Sequence, residues 1–99
     1  MITITAVLKA NPGKAALVEA ALLEVAAYVA AHEPETVSFY VARGLENDHL
    51  FTTYERFVSI EARDRHNGSP ATSKFFEVAG PHIEQPVILE SCTELSAKA

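Results

Sequence analysis

Hydrophobic and polar residues alternate in four stretches of the chain, and a period of two predicts β-strands. The first stretch covers residues 2–9 and ends at an Asn-Pro-Gly turn, and the last covers about 86–94. Between them, residues 37–42 and 50–57 alternate in the same way across a short polar turn. We therefore expect four strands, of which the second and third form a hairpin.

Two other stretches have the three- and four-residue spacing of amphipathic helices. The first covers residues 14–31 and is ended by Pro34. Its predicted apolar stripe consists of Leu17, Ala21, Leu22, Val25, Tyr28 and Val29. The second helix follows the third strand and is interrupted at Gly68. Ser59 and Ser69 are suitable caps for its two pieces, and Pro70 suits a first helical position.

The predicted order is β-α-β-β-α-β, which is typical of a ferredoxin-like α+β fold with an antiparallel sheet and helices on one face. We expect a single domain over residues 1–95 and a frayed tail over 96–99. The strands carry large side chains on both faces, since Phe51 and Phe57 point opposite to Tyr54. A sheet with two such faces needs a second cover, and we predict a homodimer.

Composition and charge narrow the possible partners. The 99 residues carry a net charge of −5, and the eight basic residues are scattered, which argues against nucleic acid binding. The single cysteine, Cys92, excludes an intramolecular disulfide and a cysteine metal cluster. The chain opens directly on a strand, and we expect no apolar run that approaches the length needed to cross a bilayer. We therefore expect a cytoplasmic protein with neither a signal peptide nor a membrane partner.

Three segments, together with the βαββαβ spacing, resemble the antibiotic biosynthesis monooxygenase family of dimeric α+β-barrel proteins. The opening VLKANPGK over residues 7–14 is similar to that family's strand, turn and helix start. The strand FTTYERF over residues 51–57 resembles its Tyr-Glu-x-Trp strand, with Phe57 in place of Trp. The segment HNGSP over residues 66–70, followed by Phe75, resembles its His-x-x-Ser-Pro element.

This resemblance implies two sheets packed back to back in a homodimer, and a pocket between sheet and helices in each subunit. It also implies oxygenation of a small aromatic or quinol-type molecule with no metal, flavin or haem cofactor. Two residues depart from the family's pattern: Ala71 replaces a second His, and Phe57 replaces the Trp. The haem-degrading branch is disfavoured, since it has Trp in place of His66 and His in place of Phe76.

His66 and Glu55 are the candidate catalytic residues. An imidazole titrates near neutral pH, so His66 can accept a phenol proton, and a mid-strand carboxylate such as Glu55 can orient that imidazole. The alternatives are a helix-end histidine that bonds a carbonyl or Glu55, and a glutamate in a structural ion pair. The other histidines have no metal-ligand spacing, so we predict no metal site.

Four aromatic residues are candidate substrate contacts. Tyr40 and Tyr54 offer hydroxyls for a substrate oxygen, and their alternative role is to anchor strands or a dimer interface. Phe57 and Phe76 are candidates for the wall of an aromatic-binding cavity, and their alternative role is plain core.

Three functions therefore stay open from the sequence. The first is a cofactor-independent monooxygenase, and the second is a non-oxygenase small-molecule binding protein or isomerase of the same fold. The third is a structural dimer module without a pocket.

Overall fold

The computed structural model describes residues 1–98 and has the element order predicted from the sequence. The strands are β1 (Ile2–Lys9), β2 (Thr36–Arg43), β3 (Leu50–Phe57) and β4 (Ile88–Thr93). The helices are α1 (Ala15–His32), α2 (Ile60–Asn67) and α3 (Pro70–Ala79), and a 3-10 turn follows at Gly80–His82. The predicted break at Gly68 is confirmed, because it separates α2 from α3. β4 starts later than predicted, after Pro86, which has no N–H for a sheet ladder.

The sheet has the strand order β2-β3-β1-β4, and every neighbouring pair is antiparallel. This is the ferredoxin-like fold predicted from the element order. The central strands are β3 and β1, and Glu55 on β3 lies opposite Ile4 on β1 and Phe39 on β2. Glu55 therefore lies in the interior of the sheet, on the face that the helices cover.

The main core lies between the sheet and helices α1 and α3. It contains Phe51, Leu8 and Phe75 together with the buried stripe of α1. That stripe consists of Val18, Ala21, Leu22, Val25 and Val29. It begins at Val18, whereas the predicted Leu17 and Tyr28 lie at its margins and are only partly buried.

The helix α1 corrects one expectation about membranes. Its 18 residues have a mean hydropathy of 1.5, which by length and composition alone is enough to cross a membrane. The prediction that no apolar run reaches that length is therefore wrong. The apolar residues of α1 have another explanation here, since its buried stripe packs on the sheet, as in the core helix of a globular domain.

The opposite face of the sheet carries no helix among the described residues. Its side chains include Tyr40, which is 63% exposed, Tyr54, which is 39% exposed, and Ile88, which is 54% exposed. On the same face, Arg56 donates two hydrogen bonds to the carboxylate of Glu94, at 2.7 and 2.9 Å. Residues 94–98 have neither helix nor strand, and of the predicted tail over 96–99 the last residue, Ala99, lies outside the described residues.

Candidate active site

The end of α2 holds His66 over the sheet. Ser59 caps the start of this helix by accepting a hydrogen bond from the backbone of Ala62. Ala62 and His66 are its two buried residues, and their spacing of four places both on the face toward the sheet. The backbone carbonyl of His66 accepts a hydrogen bond from Thr72 Oγ1 at 2.8 Å, so the first turn of α3 anchors this point.

Both ring nitrogens of His66 face a carboxylate. Nδ1 lies 2.8 Å from Glu33 Oε1, and Nε2 lies 3.2 Å from Glu55 Oε1. The three side chains are 6%, 13% and 7% exposed for His66, Glu33 and Glu55. The structure thus contains a buried acid–histidine–acid array assembled from three separate elements.

Two threonines orient the carboxylates. Thr53 Oγ1 donates a hydrogen bond to Glu55 Oε2 at 2.7 Å, and Thr36 Oγ1 donates one to Glu33 Oε1 at 2.8 Å. Glu55 Oε1 and Glu33 Oε2 are buried and accept no hydrogen bond from the described residues. Glu55 Oε1 is nevertheless close to His66 Nε2, so this contact is one of charges rather than an aligned hydrogen bond.

The environment of His66 changes its protonation in two opposing ways. Burial alone lowers the pKa of His66, because it penalises the charged imidazolium. The contacts with Glu55 and Glu33 act in the other direction and prevail, so the pKa of His66 is raised above its ordinary value. His66 therefore binds a proton more readily in the folded protein than a free imidazole does.

A mainly apolar cavity lies between the sheet and the helices, next to this array. His66, Glu55 and Thr53 belong to the polar part of its wall, and Phe39 and Phe76 belong to the apolar part. The cavity volume is about 60 Å³. This space suits a few water molecules or dioxygen, whereas roughly 150 Å³ is enough for a benzene ring.

The structure brings some of the predicted site residues together and separates others. His66, Glu55 and Phe76 all line the cavity. Phe57 is fully buried and packs under the imidazole, with the two ring centroids 5.4 Å apart, and it is not part of the cavity wall. Tyr40 and Tyr54 lie on the other face of the sheet, so within one chain their hydroxyls do not share a cavity with His66.

Sequence reasoning missed Glu33 as a member of the site. This residue is the C-cap of α1 and precedes Pro34. It meets His66 from 33 positions away along the chain. One feature of the sequence could have indicated it. Glu33 lies shortly before β2, and β2 pairs with β3, the strand that carries Glu55.

Within residues 1–98, no group of three or more His, Cys, Asp or Glu side chains is arranged to hold a metal ion. His32, His49 and His82 lie outside the array around His66. The expectation of a cofactor-free protein stays a prediction.

Comparisons with known proteins identify the family. The antibiotic biosynthesis monooxygenase family model matches residues 1–78. A solved structure from Caulobacter crescentus CB15, provisionally assigned as an antibiotic biosynthesis monooxygenase, is 26% identical and has a TM-score of 0.87, covering 96% of this chain and 90% of its own.

Two more distant structures share the fold. Rv0793 from Mycobacterium tuberculosis is 19% identical with a TM-score of 0.89, over 99% of this chain and 98% of its own. A provisionally assigned family member from Deinococcus radiodurans is 16% identical with a TM-score of 0.87, over 100% of this chain and 97% of its own. No curated protein matches the sequence. The match over residues 1–78 shows that this chain belongs to the antibiotic biosynthesis monooxygenase family.

Proposed function

We propose that this protein is a cofactor-independent monooxygenase that oxidises a small aromatic or quinol-type substrate with molecular oxygen. The observation that carries the proposal is the buried pair of His66 and Glu55 in the wall of an apolar cavity. An acid–base pair next to a dry cavity is what such chemistry requires, because the protein only has to deprotonate the substrate and exclude water. We further propose that it acts as a homodimer in the cytoplasm, with no nucleic acid or membrane partner.

The reaction balances without a cofactor when the substrate supplies the electrons. For the activated methylene of an anthrone, the substrate first loses a proton to give an anion delocalised onto its ketone oxygen, and this anion reduces dioxygen. A new C–O bond forms and the O–O bond breaks. The carbon loses two hydrogens and four electrons and becomes a carbonyl, while the second oxygen atom leaves as water with those two hydrogens.

We assign the proton transfer to His66 and Glu55 as a pair rather than to His66 alone. The two carboxylates favour the protonated imidazolium, which balances the charge of a substrate anion. Glu55 lines the cavity, and its buried Oε1 accepts no aligned hydrogen bond from the described residues and lies 3.2 Å from His66 Nε2, so we assign to this oxygen the first contact with the substrate proton.

An aromatic substrate requires the cavity to open. Phe76 on α3 and Leu89 on β4 line the cavity and are 47% and 45% exposed. Because each is about half exposed, rotation of these two side chains enlarges the cavity without disturbing the core beneath. We expect substrate to enter between them.

Oxygen consumption with a panel of anthrones and hydroquinones tests this proposal. We expect uptake with at least one of these compounds, and a fall in turnover of roughly 10²–10⁴-fold in His66→Ala, the range for loss of general acid–base catalysis. His49→Ala removes an exposed histidine that belongs to neither the array nor the cavity wall and should retain full activity. No uptake with any compound, or equal uptake by His66→Ala and the unmodified protein, would contradict the proposal.

The small cavity favours one alternative, a non-oxygenase that binds or isomerises a small molecule. A volume of about 60 Å³ and the departures at Phe57 and Ala71 support it. Ligands that raise the melting temperature under anaerobic conditions, and are recovered unchanged or isomerised after exposure to air, would support this alternative over oxygenation.

A further inference from the structure

A second depression lies behind His66, on the side away from the cavity. This cleft has a volume of about 350 Å³ and is lined by Glu33, His66 and the exposed Arg65, among others. Among the described residues, His66 is the one that lines both the apolar cavity and the cleft. The imidazole therefore lies between a mainly apolar cavity and a cleft whose wall carries charged side chains.

We propose that Glu33 is a relay residue that acts through His66 and carries protons between the apolar cavity and the cleft. The inference rests on the proposed function, because it assigns a route to the proton that the substrate gives up. In this route a proton received at His66 Nε2, on the Glu55 side, is matched by one released from Nδ1 to Glu33 Oε1. The reverse sequence returns a proton to the cavity when the second oxygen atom leaves as water.

The geometry supports a relay in three respects. The contact between Nδ1 and Glu33 Oε1 is 2.8 Å, the distance of a charge-assisted hydrogen bond. Thr36 Oγ1 holds the same oxygen at 2.8 Å, which fixes its orientation. The other oxygen, Glu33 Oε2, is buried without a hydrogen-bond partner among the described residues, so none of them competes with a proton for this oxygen, and Glu33 forms part of the cleft wall.

Few other charges act on the imidazole. Glu55 faces it from β3 and Glu33 from the end of α1, whereas β2 and β3 contribute the uncharged rings of Phe39 and Phe57. His32, Glu35 and Arg65 line the cleft, and Arg65 forms an ion pair with Glu35. Burial lowers the pKa of His66 and the two carboxylates raise it by more, so this imidazole holds a proton more readily than a free imidazole does.

A merely structural Glu33 would hold His66 in place without passing protons, and Glu33→Gln separates the two roles. Glutamine keeps the shape and an accepting oxygen but does not take up a proton. With a substrate that the unmodified protein oxidises, we expect kcat to fall roughly tenfold or more while KM changes little. We expect small buffer acids such as imidazole to restore kcat as their concentration rises, because the cleft admits them.

An independent readout does not need turnover. The exchange of the His66 ring N–H protons with water, followed by ¹⁵N NMR, should slow by a similar factor in Glu33→Gln and recover with added imidazole. Glu35→Gln removes an exposed carboxylate at the rim of the same cleft and is the matched control, with unchanged exchange. Glu33→Asp, which keeps an ionisable group, should retain more of the rate than Glu33→Gln.

The two proposals fail in different ways. Absence of oxygen uptake by the unmodified protein refutes the oxygenase and leaves the exchange measurement as the test of the relay. Equal ring N–H exchange in Glu33→Gln and the unmodified protein overturns the relay, whatever the activity. A loss of kcat that buffer does not restore assigns Glu33 a purely structural role and also overturns it.

Discussion

At the scale of single residues, the central feature is a histidine buried between two carboxylates. Transfer of three ionisable groups out of water is costly, and that cost is offset by their mutual contacts and by the hydrogen bonds from Thr53 and Thr36. The array therefore makes a poor stabilising device when compared with packed apolar side chains of the same volume. Its position in the wall of a cavity, with two carboxylate oxygens that accept no hydrogen bond from the described residues, is better explained by proton chemistry.

The protonation of His66 predicts how stability depends on pH. Because its pKa is raised in the folded state, the folded protein binds this proton more tightly than the unfolded chain does. The stabilisation of the folded protein by this proton is complete below the pKa of His66 in the unfolded chain, near 6.5. It is lost as pH rises through the higher pKa of His66 in the folded protein. We expect the free energy of unfolding to fall over this range by at most about 1.4 kcal/mol per pH unit.

Urea unfolding of the unmodified protein and of His66→Asn, from slightly acid to alkaline pH, measures this effect. The variant should be less stable, by about 3–5 kcal/mol at slightly acid pH, since it leaves two buried carboxylates unpaired. The difference between the two proteins should shrink as pH rises. His49→Asn, at an exposed position, is the control. A difference that stays constant with pH would show that His66 takes up no extra proton on folding.

Alternation along β3 explains which site residues were predictable. Glu55 has the same parity as Phe51 and Phe57, so the sequence already places it on the core face, and Tyr54 on the other. The distance from Glu55 to His66 was not predictable, because it depends on where α2 crosses the sheet. Glu33 lies just beyond a helix end, where no periodicity indicates the direction of its side chain.

At the scale of elements, the break between α2 and α3 positions the imidazole. Ser59 and Ser69 each accept a hydrogen bond from a backbone N–H in the first turn of the following helix, at 3.1 and 3.2 Å. Two short helices with separate caps allow α2 to end at the sheet and α3 to continue along α1. A continuous helix through residue 68 would extend beyond the edge of the site, and α3 would then not pack along α1.

Alanine substitution at three serines tests the importance of these caps. Ser59→Ala and Ser69→Ala should each lower the free energy of unfolding by about 1 kcal/mol, the usual cost of losing an N-cap. Ser73 is exposed within α3, so Ser73→Ala should be neutral or slightly stabilising, because alanine has the higher helix propensity. The three values come from urea or thermal unfolding. If Ser73→Ala is as harmful as the cap substitutions, capping does not explain the break.

The sequence predicted the ends of the helices and strands to within one or two residues. This was possible because the two-residue alternation of the strands and the three- and four-residue spacing of the helices are both strong in this chain. The exception is the interpretation of α1. Its alanine-rich outer side reduces the contrast between its faces, so the sequence alone did not show that the stripe begins at Val18. Burial depends on how the helix is rotated against the sheet, and that rotation is set by the neighbouring strands.

At the scale of the whole molecule, the sheet divides two kinds of surface. One face contacts the helices and carries the acid–histidine–acid array. The other carries Tyr40, Tyr54 and Ile88 in contact with solvent, next to the Arg56–Glu94 ion pair. Apolar and aromatic side chains on an uncovered sheet are typical of an interface, and a second copy of the chain is the partner that we propose.

Substitution at the centre of this face tests the proposed homodimer. Tyr54 lies on a central strand, directly opposite Tyr40 on β2, so Tyr54→Lys places a charge where two sheets would meet. Central aromatic residues contribute most to such interfaces, and a loss of at least about 2 kcal/mol weakens association roughly thirtyfold. Leu23→Lys introduces the same charge at a position on α1 that is 54% exposed, and it should leave association unchanged. Sedimentation velocity over a dilution series measures the dissociation constant of each protein. If the unmodified protein remains a folded monomer at every concentration, the uncovered face is stable in water by itself, and the dimer is refuted while the fold and the array around His66 stand.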